Sequence, residues 1–150
     1  MLNRDYEGQE HCGVARALEL VGERWTLLIV RNAFLGMRRF EEFQEDLGIA
    51  RNVLTDRLNR LVDEGIFERV LYSERPERHE YKLTRKGRDL SLALTALRQW
   101  GDEYLTDTPA RVLRRKSDKK PVVAALVPKG SDAVLSLREV ELVPAPGATR

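Results

Sequence analysis

Residues 39–65, RFEEFQEDLGIARNVLTDRLNRLVDEG, constrain this chain more than any other stretch. Phe40, Phe43 and Leu47 recur at helical spacing, Gly48 interrupts, and Val53, Leu54, Leu58, Leu61 and Val62 form a second apolar stripe. At about 100° per residue those five side chains cover half of a helix circumference. Asn52, Asp56 and Asn59 point the other way, with Thr55 and Arg60 at the margins. Two short helices, a glycine turn and an outer face rich in hydrogen-bonding groups fit a helix-turn-helix that enters a DNA groove. An ordinary αα-hairpin with a solvated outer face fits the same pattern. The segment beyond Gly65 shifts the balance toward the first.

After Gly65 the period changes. Residues 66–73 (IFERVLYS) and 80–84 (EYKLT) are short and rich in β-branched and aromatic residues, with the turn segment ERPERH between them. These are the signals of a β-hairpin. Its tip carries Arg75 and Arg78, flanked by Glu74, Glu77 and Glu80. A hairpin directly after a helix-turn-helix is a winged-helix arrangement, and tip arginines there lie near a minor groove or a phosphate run. Taken alone, the tip is a charged turn. Arg38 and Arg39 open the first helix of the motif, where free N–H groups already favour an anion. They read as phosphate clamps, or as solvated charges pairing with Glu41, Glu42 or Glu45.

The flanking segments obey the same logic. Residues 1–11 read as a loose arm. Val14, Ala17, Leu18 and Val21 predict a short first helix ending at Gly22. Trp25, Leu28, Ile29, Asn32 and Ala33, with Leu27, Val30 and Phe34 beside them, predict a central buried helix that Gly36 ends. Thr84 is expected to cap one long helix, TRKGRDLSLALTALRQWGDEYL, with Leu90, Leu94, Leu97 and Tyr104 along one stripe. That stripe fits the same helix of a second chain, or this chain's own core. From Pro109 the basic run ARVLRRKSDKK leads into PVVAALV and DAVLSLREVELV, separated by PKGS. These predict two or three strands around a Lys129-Gly130 turn, followed by a disordered tail, PAPGATR. The basic run is either a flanking phosphate contact or solvated surface.

Composition sets the limits. At 150 residues the chain is one domain plus an extension, divided as residues 1–108 and 109–150. The charged fraction is 33% while the net charge is only +2, so the placement of charges matters more than their sum. Cys12 is the one cysteine, which rules out an intrachain disulfide and a cysteine-based metal cluster. The start is no signal peptide, and the longest apolar run is far too short to span a bilayer, so a soluble cytoplasmic protein is expected. There is no glycine-rich phosphate loop, paired-cysteine motif or His pair at metal spacing. His11 beside Cys12 is a weak nucleophile–base signal, so no enzyme, catalytic residue, metal or cofactor is expected.

The order helix, helix, helix-turn-helix, wing and long helix, together with VARALELVGERWTLLIVR, RRFEEF, VLTDRLNRLVDEG, RPERHEYKLTRKG and LTALRQWG, resembles the HxlR-type winged-helix transcription regulators, relatives of the MarR group. The resemblance covers residues 12–105. It implies a DNA-binding homodimer, often a repressor, with the first and last helices at the dimer interface. It also implies that a cysteine at the Cys12 position can sense oxidants or electrophiles. Ala50 departs from the family's Ser or Thr at the start of the recognition helix and cannot accept a capping hydrogen bond. The extension resembles a ribbon that holds zinc through cysteines in some members; it has no cysteine here, so metal does not carry over.

The expectation is therefore an α+β fold: a winged helix with a dimerising C-terminal helix and a small β extension. The partners expected are double-stranded DNA with a pseudo-palindromic operator and a second copy of the chain. Arg51, Asn52, Thr55, Asp56 and Asn59 are the base-reading candidates. Arg38, Arg39, Arg60, Arg75 and Arg78 are the phosphate candidates, and Arg57 is an internal ion-pair partner. Leu90, Leu94, Leu97 and Tyr104 are the dimer candidates, and Cys12 is the candidate sensor, or else a packing residue. A small-molecule effector near Trp25, Phe34, Trp100 or Tyr104, and a protein-interaction module without specific DNA binding, are the alternatives.

Overall fold

A computed structural model describes residues 6–147. Residues 1–5 of the expected arm and 148–150 of the expected tail lie outside them. The elements run α1 (Gly13–Val21), α2 (Thr26–Phe34), α3 (Phe40–Leu47), α4 (Arg51–Asp63), β1 (Phe67–Glu74), β2 (Glu77–Leu83), α5 (Arg85–Arg88) and α6 (Ser91–Tyr104). Two compact units divide within α6, between Leu94 and Thr95.

In the first unit, α2, α3, α4 and the hairpin close around one core. Ile29, Val30, Phe43, Ile49, Leu54, Leu58, Leu61, Ile66, Phe67 and Tyr81 are all buried in it. Each such side chain contributes about 1.5–3 kcal/mol when taken from water, so this cluster outweighs every surface contact. Phe43 meets Phe67 edge-on at 6.3 Å between ring centroids, and Phe67 meets Tyr81 at 6.4 Å. The Tyr81 N–H donates to Arg38 O at 2.7 Å, which fastens the hairpin to the segment leading into α3.

Local chemistry places the helix ends. Cys12 is the N-cap of α1, its Sγ accepting from the Ala15 N–H at 3.5 Å. Trp25 precedes α2 in a left-handed conformation (φ 79°), unusual for an aromatic residue, and its side chain packs against the core. Asn32 is fully buried, and its groups are satisfied: Nδ2 donates to Asp46 Oδ2 at 2.7 Å, and Arg31 Nε donates to its Oδ1 at 2.9 Å. This amide ties α2 to α3. The Glu42 carboxylate accepts from the N–H groups of Arg38 (2.8 Å) and Arg39 (2.9 Å), and these bonds hold its carboxyl below the ordinary range.

Four expectations change. The second helix is not buried all round: Leu28 and Phe34 are about 40% exposed. The hairpin turn is narrower than the six residues expected. The strands run on through Glu74 and Glu77, leaving only Arg75 and Pro76, joined by a cis peptide bond, and the register shifts between Leu71 and Ser73.

The expected long helix is broken into α5 and α6. The Leu90 N–H donates to Gly87 O, three residues back, which tightens the chain between the two. The cause is tertiary: α5 is pressed onto the end of the hairpin. Thr84 Oγ1 accepts from the Gly87 N–H at 3.1 Å and donates to Gly65 O, with Ile66 O also within reach at 3.2 Å. A Cβ at Gly87 would lie 2.2 Å from Ile66 O.

In the second unit, the β-meander expected after Pro109 is replaced by isolated bridges, Arg114 with Pro121 and Leu126 with Leu135, and a 3₁₀ turn at Leu137–Glu139. The turn at Gly130 is present (φ 79°), with the Ser131 N–H donating to Pro128 O at 3.1 Å. The strands around it find no continuous partner among the described residues, and Val123, Val127 and Val134 stay exposed.

Gly87→Ala is therefore expected to cost about 1–3 kcal/mol, because the methyl meets backbone that cannot yield. Gly101→Ala, in α6 with nothing within 4 Å of the added Cβ, is expected to gain up to about 1 kcal/mol. Thermal unfolding of the two variants checks the pair; equal midpoints would contradict the described packing at Gly87.

Candidate nucleic-acid interface

The turn between α3 and α4 sets the angle at which α4 is presented. Gly48 ends α3 in a left-handed conformation (φ 60°), a geometry that glycine adopts at no steric cost. Ile49 is buried as the anchor of the turn, and Ala50 follows as the N-cap, without a side-chain hydrogen bond. Leu54, Leu58 and Leu61 then face the core, leaving the opposite side of α4 to solvent.

That side carries Arg51, Asn52, Thr55, Asp56 and Asn59, and all five are exposed. Asn52, Asp56 and Asn59 make no side-chain hydrogen bond or ion pair among the described residues. Thr55 Oγ1 donates to Arg51 O at 2.9 Å, which leaves its lone pairs free to accept. The guanidinium of Arg51 lies 4.7 Å above the ring of Phe40, a position that holds it at the N-terminal end of α4. Amides suit adenine edges, a guanidinium suits guanine and a carboxylate accepts from cytosine N4. The row thus offers readers for three of the four bases.

The phosphate candidates separate. Arg39 stacks over Tyr72 at 4.7 Å and lies 3.9 Å from Glu80, at the junction of α3 and the wing. Arg38 instead lines an open cleft of about 360 Å³ with Phe34, Met37, Tyr81, Lys82 and Arg88. Arg75 sits at the wing tip, and Arg78 stands on β2 opposite Ser73; both are exposed. Glu74 and Glu77 face each other beside them, so the tip carries two charges of each sign.

Arg60 departs from the group. Its guanidinium is directed inward, donating to Glu19 O and to Glu23 Oε1 at 3.3 Å. Arg57, expected as an internal partner, meets Glu23 Oε2 at 2.7 Å and donates to Arg24 O at 3.2 Å. Both arginines brace α4 against the segment joining α1 to α2. A helical wheel places Arg60 at the margin of the stripe and cannot show which neighbour claims it.

The remaining candidates divide as well. Leu90 and Leu94 pack against this chain's own core, whereas Leu97 and Tyr104 are exposed, with Trp100 beside them. Trp25 and Phe34 lie in the first unit, Trp100 and Tyr104 in the second; of the four only Phe34 lines the cleft. Cys12 is half-buried, and Arg16, one turn further along α1, is paired with Glu19. Sequence reading misses Tyr72 and Phe40 as shelves for Arg39 and Arg51. Tyr72 stands at the register shift, where strand alternation gives no signal.

No helix among the described residues is long and apolar enough to cross a membrane, and no group of three His, Cys, Asp or Glu there could hold a metal ion.

Known proteins share this arrangement. The family model for HxlR-like helix-turn-helix proteins matches residues 20–109. An uncharacterised HTH-type transcriptional regulator of Mycobacterium tuberculosis is 47% identical over 97% of this chain and 92% of its own. The crystal structure of PA1607, described as a candidate transcription factor, is 39% identical with a TM-score of 0.79, covering 90% of this chain and 96% of that one. The reduced form of the redox regulator HypR is 31% identical with a TM-score of 0.57, covering 60% and 90%. With the winged helix and the exposed polar row of α4 in place, the chain belongs to the HxlR-like helix-turn-helix family and is a transcriptional regulator of the helix-turn-helix type.

Proposed function

We propose that this regulator binds a specific double-stranded DNA operator as a homodimer, in the cytoplasm, and acts as a repressor. The observation that carries the reading is the row Arg51, Asn52, Thr55, Asp56 and Asn59, exposed along one side of α4 while the other side is sealed into the core. Arg39, Arg75 and Arg78 are the phosphate contacts that fix register around it, and Arg38 joins them from the cleft side. Arg60 is left out because its charge is spent inside the protein. Exposed Val14 and Leu18 on α1, and Leu97 and Tyr104 on α6, are the surfaces a second copy would cover.

Cys12 is the proposed sensor. Cys12 stands half-buried at the N-cap of α1, its Sγ accepting from the Ala15 N–H, and HypR, a structural neighbour, is named a redox regulator. Two copies of Cys12 brought within about 7 Å between Cα atoms could form a disulfide, passing two electrons and two protons to the oxidant.

Asn52→Ala is expected to lose about 1–3 kcal/mol of discrimination per missing base contact while keeping non-specific affinity. Arg39→Ala is expected to weaken specific and random duplexes alike and to lower the log–log salt slope by about 0.9 per contact. Fluorescence anisotropy at several salt concentrations separates the two, and an unchanged slope would remove Arg39 from the phosphate contacts.

Diamide is expected to weaken operator binding by wild type and to leave Cys12→Ser, which keeps an N-cap acceptor, unaffected. Equal sensitivity of the two proteins would make Cys12 a packing residue.

A further inference from the structure

The charges of this chain are unevenly divided. Residues 1–108 hold 17 basic and 20 acidic residues, whereas residues 109–150 hold 9 basic and 4 acidic. A winged helix proposed to bind a polyanion therefore carries a net negative charge, and its wing tip is balanced. Screening confines useful attraction to about 8 Å at physiological salt, so distant charge cannot offset this; cations must reach the phosphates themselves.

The positive excess is concentrated in one place. Residues 111–120 hold Arg111, Arg114, Arg115, Lys116, Lys119 and Lys120 against Asp118 alone, and all ten residues are exposed. This run is folded into a tight hairpin. Arg114 bridges Pro121, the Val122 N–H donates to Leu113 O at 2.9 Å, and the Arg115 N–H donates to Lys120 O at 2.9 Å. The Lys119 N–H closes the turn onto Arg115 O at 2.9 Å, with Lys119 itself left-handed (φ 63°).

Asp118 serves the turn. Its carboxylate accepts from the Lys120 N–H at 3.1 Å and lies 3.5 Å from Arg115. Arg111, Arg114, Lys116, Lys119 and Lys120 form no ion pair among the described residues. A loop that only needed to be soluble would gain nothing from holding its cations together without acidic neighbours, since like charges so placed repel.

We infer that the hairpin of residues 113–122 is a second, sequence-independent DNA contact that grips duplex phosphates. The inference rests on the DNA binding proposed above. It assigns the extension a share of the electrostatic affinity, beside that of Arg39, Arg75 and Arg78, and leaves base discrimination to α4.

The test uses the full chain with Arg114, Arg115, Lys119 and Lys120 all changed to Gln, titrated by anisotropy against two duplexes of about 40 bp, long enough for contacts flanking a two-half-site operator. One duplex is of random sequence and the other is selected from a random library by wild type. The log–log salt slope is expected to fall by at least about 2, at about 0.9 per lost contact, with at least about tenfold weaker binding to both duplexes and an unchanged ratio between them. Arg114→Lys with Arg115→Lys, which keeps the charge, is expected to retain the wild-type slope; a loss there would indicate damage to the turn and contradict the inference.

A wild-type slope in the glutamine variant overturns the inference and leaves the DNA reading intact. Wild type binding neither duplex overturns both. Co-sedimentation of wild type with phosphatidylserine vesicles, lost in the glutamine variant while duplex affinity stays unchanged, would assign the hairpin to a membrane surface and overturn the inference.

Discussion

The edge-to-face column Phe43–Phe67–Tyr81 is the contact on which the rest of the winged helix depends. It joins α3 to both strands of the hairpin, and all three rings are buried. Aromatic pairs of this kind add about 0.5–1.5 kcal/mol beyond the apolar area they bury. Because Tyr81 also donates its N–H to Arg38 O, the column fixes where the wing leaves the body and where Arg39 emerges beside it. Asn32 does the corresponding work between α2 and α3, holding Asp46 from a fully buried position.

Around this frame, the arginines are sorted by what claims them. Arg57 and Arg60 are drawn in by Glu23, and their side chains are only about a quarter exposed or less. Truncating either would leave Glu23 with an incomplete set of partners, a larger penalty than losing a surface pair. Arg39 and Arg51 are held over aromatic rings, where a guanidinium keeps its charge available and gives up little freedom on meeting an anion. Tyr72 thus holds Arg39 at the junction of α3 and the wing, near Glu80, and Phe40 holds Arg51 at the N-terminal end of α4.

The four helices before the wing are legible in the sequence because their stripes are interrupted by glycines at the points where the chain turns: Gly22, Gly36, Gly48 and Gly65. The hairpin is legible in kind but not in its turn, since Glu74 and Glu77 carry no strand signal and meet across the ladder. The break after α5 cannot be read, because the stripe Leu90, Leu94 and Leu97 begins only beyond α5 and so gives no signal of a separate turn before it. It arises from Gly87 lying against Ile66 O, a contact between residues 21 positions apart. In the extension, apolar runs suggest strands, yet alternation predicts pairing only where a partner strand is available. The exposed polar side of α4 is legible from the helical wheel, whereas the inward turn of Arg60 is not, because its acceptors, Glu19 and Glu23, are some forty positions upstream.

Base reading by the exposed side of α4, in a symmetric pair, is tested most directly by selecting wild-type-bound duplexes from a random library. The expected result is an enriched pseudo-palindrome whose half-sites are centred about 10–10.5 bp apart, or a multiple of that. Enrichment of no motif at all, with binding governed by salt alone, would contradict it.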